Sequence, residues 1–168
     1  MPAVPATPRP TVLRRLAHRL GRPAPPRALP PGPPPEDGPD TQRAALLAVL
    51  DAAVAEQARS DRAIAACGEP GPVPAELAQL LTRQSVRYAR FAGWLRVLPA
   101  DGELAGARDL AIRLVSYHQW MLHQSANLAF AAHRRPGSEA ARRSINGLGA
   151  PADRLQRLRD GLRANDAA

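Results

Sequence analysis

The stretch DGELAGARDLAIRLVSYHQWMLHQSANLAFAAH, residues 101–133, decides the fold. It contains no proline. Its apolar and small residues recur three and four apart, at Leu110, Leu114, Met121, Ser125, Leu128 and Ala132, with Ala107, Ala111, His118 and Ala129 beside them. At about 100° per residue these positions share one face. Asp109, Arg113, Trp120, Gln124 and Asn127 form the opposite strip. The pattern predicts a single helix from Asp101 to His133, capped by Asp101 and stopped by Arg134, Arg135, Pro136 and Gly137. At about 30 residues it exceeds the usual globular helix. Ile112 and Phe130 fall roughly 140° from the main face, so neighbours are expected on more than one side. This is the expected central helix of a bundle.

Two long helices precede it. One runs from about Thr41 to Ala66, with Leu47, Leu50, Val54, Ala58 and Ala65 on its apolar face and Leu46 and Ile64 flanking. Gln57 and Asp61 share that face, an unusual place for polar groups. The other runs from about Pro74 to Leu98, with proline tolerated in its first turn. Leu77, Leu81, Tyr88, Phe91 and Leu95 line its inner arc. Pro70, Pro72, Pro74 and Pro99 punctuate the connections. Ser138 opens a short helix ending near Gly147, and a last helix spans about Pro151 to Ala164. Nothing alternates as a strand does. Short links make consecutive helices antiparallel neighbours. The expected fold is therefore all-α. Residues 41–164 are read as an up-down antiparallel bundle of three long helices, closed by a short C-terminal helix pair.

Residues 1–40 hold 13 of the 19 prolines and six arginines. Proline fixes φ and removes a donor, so this segment is expected to be a disordered Pro/Arg-rich tail. Thr11–Leu20 interrupts it as a short amphipathic helix, too short to stand alone. Its expected resting places are its own domain, an acidic partner or an anionic membrane surface.

All 23 basic residues are arginine. With abundant alanine and proline, this reflects coding bias, so the pI near 11.3 carries little weight as a sign of nucleic-acid binding. The local excess is more telling, and it falls on the tail and on residues 73–100. Cys67 is the lone cysteine, which excludes an intramolecular disulfide and makes a reducing, cytoplasmic home the expectation. No apolar run approaches the ~18 residues of a membrane span.

Arg83, Arg87 and Arg90 are spaced to share one stripe of their helix, and Trp94 follows at the next step, within cation–π reach of Arg90. Such a stripe suits phosphate, carboxylate or a stacked base. Trp120 sits on the polar strip of the long helix. Tryptophan and arginine are enriched at interface cores, so these five residues are the candidate partner-binding set.

Arg113-Leu114-Val115-Ser116-Tyr117-His118 resembles, over six residues, the arginine–aliphatic–three residues–histidine motif of HEPN-type ribonucleases. That resemblance implies an all-helical, often dimeric, metal-independent nuclease with Arg113 and His118 as its catalytic pair. Val115 stands where the family often has a polar residue. The two side chains also project about 140° apart on an ideal helix. The structural alternative places His118 in the core, hydrogen-bonded to Asp61 or Gln57. His118 and His123 are five apart and diverge, so no metal pair is expected, and no cofactor motif is present. The expected function is a non-catalytic helical interaction or regulatory module that self-associates or binds a protein. The alternatives are a nucleic-acid binder using the arginine stripe and the HEPN-like nuclease.

Overall fold

The computed structural model describes residues 38–131 and 136–165. The expected tail, including the Thr11–Leu20 segment, lies outside these residues, apart from its last three positions. Among the described residues the chain is all-α, with no strand. The helices are α1 (Pro39–Ala55), α2 (Gln57–Gly68), α3 (Ala75–Val97), α4 (Gly102–Ala131), α5 (Pro136–Arg143) and α6 (Ala150–Ala164). α1, α5 and α6 each open with proline in the first turn, where its missing N–H costs nothing. Pro136 thus starts a helix, although its place in the sequence reads as a stop.

The expected helix from Thr41 to Ala66 is broken at Glu56, which takes φ −86° and ψ −9°. The ladder resumes at once, as Ser60 N–H donates to the Glu56 carbonyl at 3.0 Å. The buried side of α1 and α2 runs through Gln42, Leu46, Leu50, Ala53, Gln57, Ser60, Ile64 and Cys67. This corrects the face read from apolar periodicity. Ala58 and Ala65 are exposed, and Leu47 and Val54 only half-buried. The cause is chemical: Gln42 and Ser60 lie on the buried side, and a pattern that places them outside turns the helix roughly 90° from its true phase; of the two polar residues it set inward, Gln57 is buried and Asp61 is exposed.

α4 touches each of the other five helices, as expected of a central element. α3 and α4 run antiparallel: Ser85 Oγ donates to the Gln119 carbonyl, and Arg108 Nη1 donates to the Leu98 carbonyl. Leu81, Phe91 and Leu114 are buried. Met121, Leu110 and Leu128 are only half-buried, because the inner line of α4 runs through Ala111, Val115, His118, Leu122, Ser125 and Ala129. Asp101 does not spend its carboxylate on capping. Its Oδ2 accepts from Gln42 Nε2 at 3.2 Å, and its N–H donates back to Gln42 Oε1 at 3.2 Å, which ties the start of α4 to α1.

Leu114 is 7% exposed. Leu114→Ala is expected to destabilise the chain by about 2–3 kcal/mol, the lower part of the range for buried leucines, because the site sits near the core's edge. Urea unfolding of the two proteins measures it. A loss below about 0.5 kcal/mol would show that the site does not support the core.

The α5–α6 link is held from α2. Asp61 Oδ1 accepts from Leu148 N–H at 2.8 Å. Gly147, at φ +121°, lies under that carboxylate, and a Cβ there would come within 2.5 Å of Asp61 Oδ1. Only glycine combines the left-handed backbone with so close an approach.

Candidate functional site

The five residues singled out for partner binding are all exposed, but they form two patches. On α3, Arg83, Arg87, Arg90 and Trp94 occupy one flank, one helical turn apart. Trp94 is 47% exposed, and its ring contact is Phe91, with centroids at 5.7 Å. Phe91 is itself buried, so Trp94 is braced from beneath while its outer face meets water. Arg87 forms an ion pair with Glu56 at the α1–α2 break. On α4, Trp120 is 53% exposed and packs on Tyr117, with centroids at 5.9 Å. Since Ser85 is level with Gln119 and the helices are antiparallel, Trp94 stands about ten residues, or roughly 15 Å, along the helix pair from Trp120. Val86, Val97 and Phe130 add further exposed apolar surface on the same two helices.

Beneath these patches lies a polar core that periodicity could not show. His118 is fully buried. Its Nδ1 lies 2.6 Å from the Leu114 carbonyl, and its Nε2 lies 3.2 Å from Gln57 Nε2. A carbonyl only accepts, so Nδ1 carries the proton and Nε2 is left to accept from Gln57. Gln57 Nε2 also donates to the Ala152 carbonyl at 3.0 Å, and its Oε1 accepts from Gln156 Nε2 at 2.8 Å. The amide therefore uses both donors and its acceptor, and links α2, α4 and α6. Tyr88 stacks on His118 at 5.2 Å and donates to the Ala53 carbonyl at 2.9 Å. Of the two partners considered for His118, Gln57 is the one in place. Asp61 serves Leu148 instead.

This geometry bears on the ribonuclease resemblance. His118 has no surface, whereas Arg113 is exposed, so the two share no cleft in this chain. Among the described residues, no three His, Cys, Asp or Glu side chains converge on a point. No helix of the described residues is long and apolar enough to cross a membrane.

Burial pushes the His118 imidazole below its ordinary pKa of 6.5, against the opposing pull of the Leu114 carbonyl. The unfolded chain therefore takes up the proton more readily. The His118 contribution to stability is present above about pH 6.5 and is lost as pH falls through the lower, folded-state pKa. A protonated Nε2 would also point a hydrogen at the Gln57 NH2 group. Urea unfolding between about pH 7.5 and about pH 5.5 is expected to show falling stability, and His118→Gln is expected to flatten that slope. An unchanged slope in the variant would assign it to other groups.

Sequence reasoning missed Arg142, at 1% exposure the most enclosed charge among the described residues. Its Nη1 donates to the Cys67 carbonyl and to the Glu69 carbonyl at 2.7 Å, and Nη2 to Gly71 at 3.0 Å. Nε and Nη2 clasp Glu139 at 2.9 and 2.7 Å. The only available sequence signal was the Glu139–Arg142 spacing of three, which reads equally well as a solvated pair.

The described chain is thus an all-α domain with a sealed polar core and two exposed aromatic patches. No family model matches it, and no curated protein or solved structure shows significant similarity.

Proposed function

We propose that this chain is a non-catalytic helical interaction or regulatory module that self-associates or binds a protein partner in the cytoplasm. In this reading an up-down bundle carries the contact surface behind a disordered Pro/Arg-rich tail. The observation that carries it is the pair of half-exposed tryptophans, Trp94 and Trp120, each braced by a second ring. A rigid aromatic costs little side-chain entropy to bury, and with arginine it is the residue type most enriched in binding hot spots. The buried state of His118 favours this reading over the nuclease.

Sedimentation velocity over a roughly 100-fold concentration range tests it. The expected result is a mass that rises with concentration and falls back to monomer in Trp94→Ser or Trp120→Ser. If the chain stays monomeric, a photo-crosslinking residue at position 94 or 120 should trap one discrete protein in cells. A monomer that gives no crosslink at either position overturns the proposal. The Arg83, Arg87 and Arg90 stripe supports nucleic acid as a second reading. A steep loss of affinity with salt would mark it.

A further inference from the structure

We propose that the outer strip of α4 pairs with the same strip of a second copy of this chain, antiparallel about a two-fold axis level with Ala111. Gly102, Gly106, Asp109, Arg113, Tyr117 and Trp120 are all exposed. At about 100° per residue they fall within about 40° of one line, over a length of roughly 27 Å. The interface names the second copy as the partner, and so rests on the self-association proposed above. Of the two aromatic patches, the one on α3 is unsuited to it. The outward arginines there, Arg83, Arg87 and Arg90, are matched on that helix by one acid, Glu76 in the first turn, so a second copy would bring like charges together. The α4 strip carries both signs, in Asp109 and Arg113.

Those two charges set the register. They stand four apart, a spacing that allows a pair within one helix, yet they are not paired. Asp109 Oδ1 accepts from Arg108 Nε at 3.2 Å and from Nη2 at 3.0 Å. Among the described residues, Asp109 Oδ2 has no partner, and neither has the Arg113 guanidinium. A parallel pairing would set each charge against its own kind. An antiparallel pairing about Ala111 places each Asp109 opposite Arg113 of the second copy, and the four charges alternate in sign around the axis. The same register serves the aromatics. It sets Trp120 opposite Gly102 and Tyr117 opposite Ala105, twice over. Helical side chains lean toward their own N-terminus, so the Trp120 indole comes down over the Gly102–Gly106 turn of the second copy. That turn is bare: a Cβ added at Gly102 or at Gly106 meets nothing within 4 Å. The bulkiest and the smallest parts of the strip thus face each other in the antiparallel register that pairs its charges.

The test is sedimentation equilibrium of the full chain at neutral pH and low salt. The wild type is expected to reach a dimer. Arg113→Glu and Asp109→Arg should each weaken that dimer at least about tenfold, and the double variant, with the charges exchanged, should return to within about threefold of wild type. Gly106→Gln should weaken it by a similar factor, because it fills the seat of Trp120, with no fall in melting temperature, because glycine is the poorer helix former. Trp120→Ser should weaken the dimer, and Trp94→Ser should leave it intact. All of these positions are exposed, so the variants are expected to keep the fold, which circular dichroism checks. A dimer indifferent to both charge reversals, or a double variant no tighter than the singles, overturns this interface and leaves self-association standing. A chain that stays monomeric overturns the dimer and self-association together. A crosslink from position 120 to a different protein then assigns the α4 strip to that partner.

Discussion

Arg142→Met is expected to lower the free energy of unfolding by about 3–5 kcal/mol, the cost of breaking a buried, hydrogen-bonded charge cluster by removing one member. α2 ends at Gly68, and its last carbonyls have no partner further along the helix. Arg142 reaches from α5 and donates to Cys67, Glu69 and Gly71, so one side chain closes the C-terminal end of α2. Glu139 orients the guanidinium from the preceding turn and holds its pKa up, and Arg142 in turn holds the Glu139 carboxyl below its ordinary range. Methionine fills much of the volume but leaves the carbonyls unmet. Arg142→Lys should recover only part of the loss, because an ammonium cannot match the planar fork that serves carbonyls and carboxylate together. Urea unfolding at neutral pH reads all three proteins. Full rescue by lysine, or a methionine variant within about 1 kcal/mol of wild type, would show that the cluster is not what holds α5 to α2. Gly68 adds a steric reason for the same junction, since a Cβ there would collide with the Ile145 carbonyl.

Tyr88→Ala is expected to cost about 3–5 kcal/mol, the range for truncating a fully buried aromatic. Tyr88 has no exposed surface and ties α3 to two other helices. Its ring stacks on His118 of α4 and stands edge-on to Phe91, 5.6 Å away, and its hydroxyl donates to Ala53 of α1. Burial pushes the phenol pKa well above its usual value, so the group stays a neutral donor across the working range. Tyr88→Phe keeps the rings and removes only the hydroxyl, so its cost is expected to fall to about 1–2 kcal/mol. The difference between the two variants, read by thermal and urea unfolding, separates ring packing from the hydrogen bond. Equal losses in both would place the whole effect in the hydroxyl and contradict the stacked geometry. His118→Gln should also destabilise, since it removes the buried imidazole ring that stacks on Tyr88.

How much of this could be read from the chain differs by residue. Apolar spacing and proline punctuation gave the ends of α3 to within a residue or so, because the helix is long, strongly periodic and bounded by Pro74 and Pro99. The same reasoning set the rotation of α1 and α2 wrongly. It treats Gln42 and Ser60 as outward, and both point inward. For the candidate partner residues, helical phase was enough to place Arg83, Arg87, Arg90, Trp94 and Trp120 on the surface. Phase could not tell that the tryptophans belong to different patches, since that depends on the α3–α4 register. Nor could it bring Arg59 of α2 beside Arg83 and Arg87 of α3.

The sequence by itself determined that the described chain is helical, where its long helices lie and that the α3 arginines and both tryptophans face water, because these follow from local propensity and a repeat of 3.6 residues. Only the tertiary structure decided that Gln57 meets His118, that Arg142 closes the end of α2, and that Gln84 of α3 meets Glu56 at the α1–α2 break. Those partners lie 61, 75 and 28 positions apart in the three cases where one bond defines the contact, His118 with Gln57, Arg142 with Cys67 and Gln84 with Glu56. Hydrogen bonds over such separations depend on the relative rotation and depth of whole helices, which no local pattern encodes.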